Sequence, residues 1–499
     1  MPIADMKPPK SAPVKVAPPV LTGPAKLAEV ARLIYELNRD LGKICMLPHQ
    51  RDAALEQLKV YGRDSKDADP MFTNEGIETI TRHAFNSPSF TTSRCALRCL
   101  ANAMLLNPSA RARFVELHYE KKLCQRLNNG HQEDELLVSR IIFLTTYGGN
   151  IDIENLIDHH HLADNINHNI ARHAKQYDEV HKIEEIQSDR PSYSFMKGKK
   201  DKSKENAKSN SNVDSSGPDP IEDMSLVETL KLLFNITHFC PQRNDAFSPA
   251  IPNILRLILK CHVLPDQPME PPMTQLVNAL MNLELETNAS ALYPRSDPKE
   301  FAGRLIDLLD LATTAYPEQD LDRQVSPIVS LMRKVYGLAP RQVKLHMRTL
   351  LIPPADDRAQ LLGGKNTLCS RILRLSTSPS TPTVREELSS LLFEMSDKDA
   401  SNFVQNLGCS FSSGLLFQQN VQVPDNALEA WSTSDTDSMT ERTSMGSRSS
   451  NSCSSIKFGI VAGKQINDIT EANTRDQGTI GGSKDDEKGE GEGEADDYV

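Results

Sequence analysis

Three adjacent histidines, His159-His160-His161, with His168 and His173 close behind, are the densest group of metal-ligand side chains in this chain of 499 residues. Successive residues on a helix point about 100° apart, so three in a row cannot all face one ion. His49 and Cys124 stand at no characteristic ligand spacing to them. The group reads as a polar helix end, and no metal site is expected. Leu362-Gly363-Gly364-Lys365-Asn366-Thr367 looks like a phosphate loop but fails twice: the first Gly of that pattern would fall on Ala359, and Lys365 is followed by Asn366 where Ser or Thr is needed. A hydrolase would need a nucleophile with base and oxyanion donors, and no GxSxG or HExxH run marks one. The sequence therefore points to no catalytic residue and no cofactor.

A different chemistry recurs. Leu97-Arg98-Cys99-Leu100-Ala101-Asn102, Leu230-Lys231-Leu232-Leu233-Phe234-Asn235 and Val277-Asn278-Ala279-Leu280-Met281-Asn282 share one pattern: an apolar residue, two spacers, Leu, one spacer, Asn. Apolar residues three apart lie on one helical face, and the Asn two positions beyond points away from it. An Asn side chain donates and accepts at once, so on a groove-lining helix it can clamp the backbone of a bound peptide. Arg98, one turn before Asn102, adds a charge-assisted contact for a carboxylate. The alternative is that each Asn bridges neighbouring helices within the stack, and the pattern alone leaves both readings open. Farther on, Arg341, Lys344 and Arg348 share a helical face that suits an acidic partner, or is merely solvated. Ser432, Ser434 and Ser438 each have an acid three residues on, the spacing used by an acid-directed kinase such as casein kinase 2. Phosphate there adds about −1.5 to −2 charges per site.

The elements that must position these residues are helical. Val30, Ile34 and Leu37, with Leu27 and Ala31, begin a series of three/four-spaced apolar stripes that continues to about residue 430 with no period-two run among them. The expected class is all-α. Asn235 and Asn282 are 47 positions apart, within the ~40–47 period of armadillo and HEAT units, which predicts an α-solenoid superhelix. Residues 1–22 are Pro-punctuated, 187–223 are rich in Lys, Ser and Asn, and 432–499 are Ser/Thr-rich and acidic. All three are too polar to offset the entropy of ordering and are expected to be disordered. That leaves helical repeats over 23–186 and 224–431. Of the formal net charge of −11, the last segment carries −7, from 14 acidic against 7 basic residues. The nearly balanced body excludes generic nucleic-acid binding. Nine scattered cysteines without CxxC pairs fit a reducing compartment. With no long apolar run for a membrane span, a cytoplasmic location is expected.

The carboxy-terminal helices carry a resemblance. The run His346-Met347-Arg348-Thr349-Leu350-Leu351-Ile352-Pro353-Pro354, then Glu387-Leu388-Ser389-Ser390-Leu391-Leu392-Phe393, Asn402-Phe403-Val404-Gln405-Asn406-Leu407-Gly408 and Ser413-Gly414-Leu415-Leu416, resembles the synembryn family. The helices ending in Asn102 and Asn235 are similar too, and the resemblance spans about 25–430 without the insertion. Where that family often has a Gly-Tyr-Gly-Asn-like turn, this chain reads Gly408-Cys409-Ser410-Phe411-Ser412. The resemblance implies an armadillo/HEAT-like protein that binds α subunits of heterotrimeric G proteins (Gα) as a nucleotide-exchange factor and folding chaperone. The Gα C-terminal helix would lie in the concave groove. It puts Arg98, Asn102, Asn235 and Asn282 in that groove, Arg341, Lys344 and Arg348 at a second Gα contact, and phosphate on Ser432, Ser434 and Ser438. A single solenoid gives no reason to expect a dimer, so a monomer is expected, recruited to the cell cortex through its partner. The competing reading is a generic armadillo scaffold or transport adaptor for another extended peptide.

Overall fold

Each apolar stripe on these helices needs a neighbour to cover it, and stacking helices in pairs supplies one at every step. The computed structural model describes residues 21–148, 150–188, 220–358 and 362–421. No strand occurs among them; the one extended pairing is an isolated bridge between Leu264 and Gln267. The first helices are α1 (Gly23–Lys43), α2 (Pro48–Tyr61), α3 (Asn74–Asn86), α4 (Phe90–Leu106), α5 (Pro108–Glu116), α6 (Glu120–Leu127), α7 (Gln132–Thr145), α8 (Ile153–His160) and α9 (Leu162–Ser188). Then come α10 (Pro220–Phe239), α11 (Ile251–Lys260), α12 (Met273–Asn282), α13 (Ala289–Leu292), α14 (Glu300–Ala315) and α15 (Glu318–Leu338). The last are α16 (Arg341–Leu351), α17 (Ala355–Arg358), α18 (Leu368–Leu375), α19 (Pro382–Met395), α20 (Ala400–Leu407) and α21 (Cys409–Gln418).

Two rows of helices result. In one, α2, α4, α7, α10, α12, α15 and α19 each pack on the next. In the other, α1 meets α3, α3 meets α5, α9 meets α11, and α14 meets α16 and α18. Cross-packing of α3 on α4, α6 on α7, α9 on α10, α11 on α12 and α14 on α15 closes the core between the rows. The repeat is also written in the hydrogen bonds. Cys99 Sγ reaches Leu55 O, 44 residues back; Asn165 Nδ2 reaches Cys124 O, 41 back; Arg304 Nε reaches Ile258 O, 46 back. Partners one repeat apart are what a stack of like units produces. The fold is all-α and solenoid-like.

Local chemistry sets several boundaries differently from the periodicity. In α1 the buried set is Val30, Leu33, Ile34 and Leu37, whereas Leu27 is 39 % exposed and Ala31 is also exposed. Lys26 takes the buried place at that end, its ammonium donating to Asp64 O at 3.0 Å and Lys66 O at 2.5 Å. α15 runs back through Pro327 to Glu318, with acidic residues in its first turn and Leu321 buried. Beyond the Gly363-Gly364 loop the chain stays non-helical through Thr367. α18 starts at Leu368, where Thr367 Oγ1 accepts from Ser370 N. Helices enter the 187–223 stretch from both ends, to Ser188 and from Pro220. The expected disordered arm, insertion and tail otherwise lie outside the described residues.

Candidate functional site

The row α4–α7–α10–α12 collects the residues singled out by the Asn pattern. Leu97 and Leu100, Leu230 and Leu233, and Val277 and Leu280 are all 0 % exposed. They anchor their helices to the core and leave each Asn at the edge facing the preceding helix of the row. Asn102 Nδ2 donates to Lys59 O on α2 at 3.5 Å. Asn235 is 3 % exposed; its Nδ2 donates to Thr146 Oγ1 at 2.9 Å, and its Oδ1 accepts from the Tyr147 hydroxyl at 3.1 Å, both just beyond α7. Asn282 Nδ2 donates to Phe234 O at 3.1 Å and Thr237 Oγ1 at 3.3 Å on α10. These amides hold one helix of the row to the next, satisfying carbonyls and hydroxyls near helix ends. On α15 an ammonium does the same work: Lys334 Nζ donates to Met281 O at 3.4 Å and to Leu283 O. The Asn pattern misses Lys334 because the residue type changes while the bonding role stays.

Charge is arranged along the same row. Arg98 pairs with Glu133 and lies 3.6 Å from Glu56, and its side chain is 35 % exposed. Asp134, fully buried, accepts from Arg94 at 3.0 Å, Arg126 at 2.8 Å and Asn129 at 2.6 Å. Glu228 on α10 accepts from Arg140 at 3.0 Å and Lys231 at 3.1 Å. Burial pushes the Glu228 carboxyl up, but the two cations outweigh it and hold it at about 2. The same contest, burial against Arg94, Arg126 and Asn129, leaves Asp134 below its ordinary value. Glu135, burial notwithstanding, is held down by His173, Arg172 and Thr229. Lys231 lies one helical turn from Glu228, and Arg126 and Asn129 stand eight and five residues before Asp134, but Arg94, Arg140, Arg172 and His173 reach their carboxylates from roughly one repeat or more away, which local spacing does not show.

Aromatic rings surround Asn235. Tyr147 meets Phe143 and Phe239 edge-on, with centroids 5.3 and 5.9 Å apart, and Phe234 stacks on His238 at 6.3 Å. Phe239 is 45 % exposed. The row therefore carries aromatic rings around Tyr147 and Phe239, with the partly exposed Arg98 on α4. The second basic set lies elsewhere, on α16. Arg348 makes a two-pronged pair with Asp397 at 3.1 Å, Lys344 Nζ sits 5.4 Å from the Tyr336 ring centre, and Arg341 is exposed.

His159 and His160 end α8, and His161 follows in a left-handed conformation. His173 is buried against Glu135 at 3.0 Å. Among the described residues no group of His, Cys, Asp or Glu could hold a metal ion. Lys365 of the glycine loop is paired with Asp357 at 2.5 Å. Ser432, Ser434 and Ser438 lie outside the described residues. No helix among the described residues is long and apolar enough to cross a membrane.

Comparison with known proteins gives this surface a context. The family described as guanine nucleotide exchange factor synembryn matches residues 54–454. The chaperone Ric-8A of Gallus gallus is 23% identical over 423 residues, covering 78% of this chain and 71% of that protein. The chaperone Ric-8A of Danio rerio is 22% identical over 412 residues, covering 76% and 69%. An engineered protein of solved structure aligns over 81% of this chain and 87% of its own at 13% identity, but its TM-score of 0.39 is too low to bear on the fold. The family match takes in every helix of the row from α4 to α19, and the chain belongs to the synembryn family of guanine nucleotide exchange factors.

Proposed function

We propose that this chain is an exchange factor and folding chaperone for α subunits of heterotrimeric G proteins. It takes the C-terminal helix of the α subunit on the α4–α7–α10–α12 row and stabilises the nucleotide-free state. What supports this most is the span of the family match, residues 54–454, which contains that whole surface. In this reading Arg98 and Asn102, both partly exposed, touch the bound helix. Asn235 and Asn282 set the spacing of the helices that receive it. Arg341, Lys344 and Arg348 form the second contact.

The mechanism is linkage. A protein that binds nucleotide-free Gα more tightly than nucleotide-bound Gα weakens nucleotide affinity by the same factor. Drawing the C-terminal helix away from the nucleotide supplies the difference, and GTP then favours release. The solenoid needs no acid, base or metal for this.

The test is GDP release from purified Gα with and without the full chain, followed by excess GTP analogue. Faster release through a nucleotide-free complex that GTP dissolves is expected. Stable binding with no acceleration leaves chaperoning alone, and no binding to any Gα subtype overturns the proposal in favour of an adaptor for another peptide.

A further inference from the structure

The outer side of α1 presents apolar residues and cations to water. Its inner side rests on α2 and α3. On the opposite side Leu27, Ala31 and Tyr35 follow one another at four-residue spacing and are exposed, Tyr35 at 62 %. The exposed charged residues of the helix are Arg32, Arg39 and Lys43. All three of its acids are engaged. Glu29 and Glu36, partly buried, each pair with Arg32 at 2.6 Å, and Asp40, buried, pairs with Arg51 at 2.6 Å. Arg32 is thereby neutralised. The charge left on this side comes from Lys43 and from Arg39, which sits beside Tyr35 and Cys45.

The turn that follows, Lys43-Ile44-Cys45-Met46-Leu47, goes against local preference twice. Ile44 closes α1 with a left-handed backbone, φ 45° and ψ 56°, where Gly or Asn is favoured and a β-branched side chain is penalised. Leu47 stands at the N-cap of α2 with no side-chain hydrogen bond to the first turn, where Asn, Asp or Ser is preferred. Burial compensates neither residue: Ile44 is 80 % exposed and Leu47 57 %. Met46 between them fixes the turn, its side chain packed on the core and its N–H donating to Asp40 Oδ1 at 2.6 Å. Two aliphatic side chains are thus held outward at positions that folding alone would fill with polar ones. Departures of this kind mark functional surface.

We infer that this turn and the outer side of α1 rest on an anionic phospholipid surface. Ile44 and Leu47 enter the boundary between headgroups and acyl chains, and Arg39 and Lys43 meet the phosphates. Elements that lie in a membrane interface pair an apolar face with Lys and Arg, and such cations are drawn to an anionic leaflet. Tyr35, apolar in its ring and polar at its hydroxyl, suits the headgroup level. The contact is superficial, because Val30, Leu33, Ile34 and Leu37 commit the other side of α1 to the core. A second copy of the chain fits less well. A two-fold contact through this side would bring Arg39 and Lys43 of both copies together.

The experiment is co-sedimentation of the full-length chain with vesicles of phosphatidylcholine alone and of phosphatidylcholine mixed with phosphatidylserine. Binding several-fold greater on the mixed vesicles, and weakened by added salt, is expected. The double variant Ile44→Asn/Leu47→Asn is expected to lose most of that binding. Its melting temperature should equal or exceed the wild type's, because both changes suit the local backbone. Arg39→Glu/Lys43→Glu is expected to abolish the preference for phosphatidylserine. No binding to the mixed vesicles, or equal binding to both kinds, overturns the proposal. So does binding that either double variant retains in full, which places the lipid contact elsewhere on the chain. A dimer in sedimentation velocity that Ile44→Asn/Leu47→Asn dissociates assigns the turn to a second copy and overturns it equally. The inference does not depend on what the α4–α12 row binds.

Discussion

Asn235, 3 % exposed, shows how an amide that the sequence offers to a groove is taken up by packing. Its amide is spent on Thr146 and Tyr147, so Asn235→Ala takes the acceptor from the Tyr147 hydroxyl, while Thr146 keeps its bond to Phe143 O. A buried group that loses its hydrogen bond costs about 1–3 kcal/mol. That loss is expected in urea unfolding, and an unchanged midpoint would remove Asn235 from the joint between α7 and α10. Arg98 is the converse case, half in water and pairing with Glu133. Arg98→Ala is expected to raise the dissociation constant for Gα about tenfold, equivalent to about 1.4 kcal/mol, with circular dichroism unaltered; equal affinity would exclude it from the contact. Glu228 carries a pH signature. Its folded pKa, about 2, lies below the unfolded value of about 4.3, so its stabilisation is complete above that value and is lost as pH falls toward 2. Glu228→Gln sets Arg140 and Lys231 against a neutral amide and is expected to cost about 3 kcal/mol at pH 7. The variant's melting temperature should also fall less than the wild type's between pH 7 and 3. Equal acid sensitivity would refute the pairing.

At the scale of elements, caps and close approaches decide what the apolar period leaves open. α3 begins at Thr73, whose hydroxyl accepts from Gly76 N at 3.0 Å, and its first turn lies on the 3₁₀ turn Asp69–Phe72. A Cβ at Gly76 would stand 2.2 Å from Pro70 O and 2.8 Å from Met71 O. Backbone cannot yield as a flexible side chain does, so Gly76→Ala is expected to cost about 1–3 kcal/mol as overpacking. A melting temperature equal to the wild type's would show that the turn moves freely. The Asn and Lys334 bonds from one row helix to the next explain why the row keeps its order although its helices differ in length. The same arrangement bears on the Asn pattern: a residue facing away from its own helix's buried stripe can still be enclosed by the helix before it.

For the whole molecule the proposed function makes a reciprocal prediction. The factor by which GDP weakens Gα binding to this chain must equal the factor by which the chain weakens GDP binding to Gα. Calorimetry of both titrations checks it, and unequal factors would mean that the simple linkage among these states is wrong. The stack suits that role because each unit contacts its neighbours and little else, so a long partner segment meets a series of similar edges.

The sequence by itself determined the helical class, the repeat near 47 residues and the family, because three/four spacing and an ordered series of motifs are local properties of a chain. Val277 and Leu280 were legible as core for that reason. Tertiary structure alone decided which face of each edge residue meets solvent. It set Lys26 inside and Leu27 outside, gave the amides of Asn102, Asn235 and Asn282 to the preceding helix, and paired Arg98 with Glu133 and Glu228 with Arg140. Those outcomes depend on distances between residues a repeat or more apart, which no local spacing encodes, and burial then fixes how strongly each pair holds.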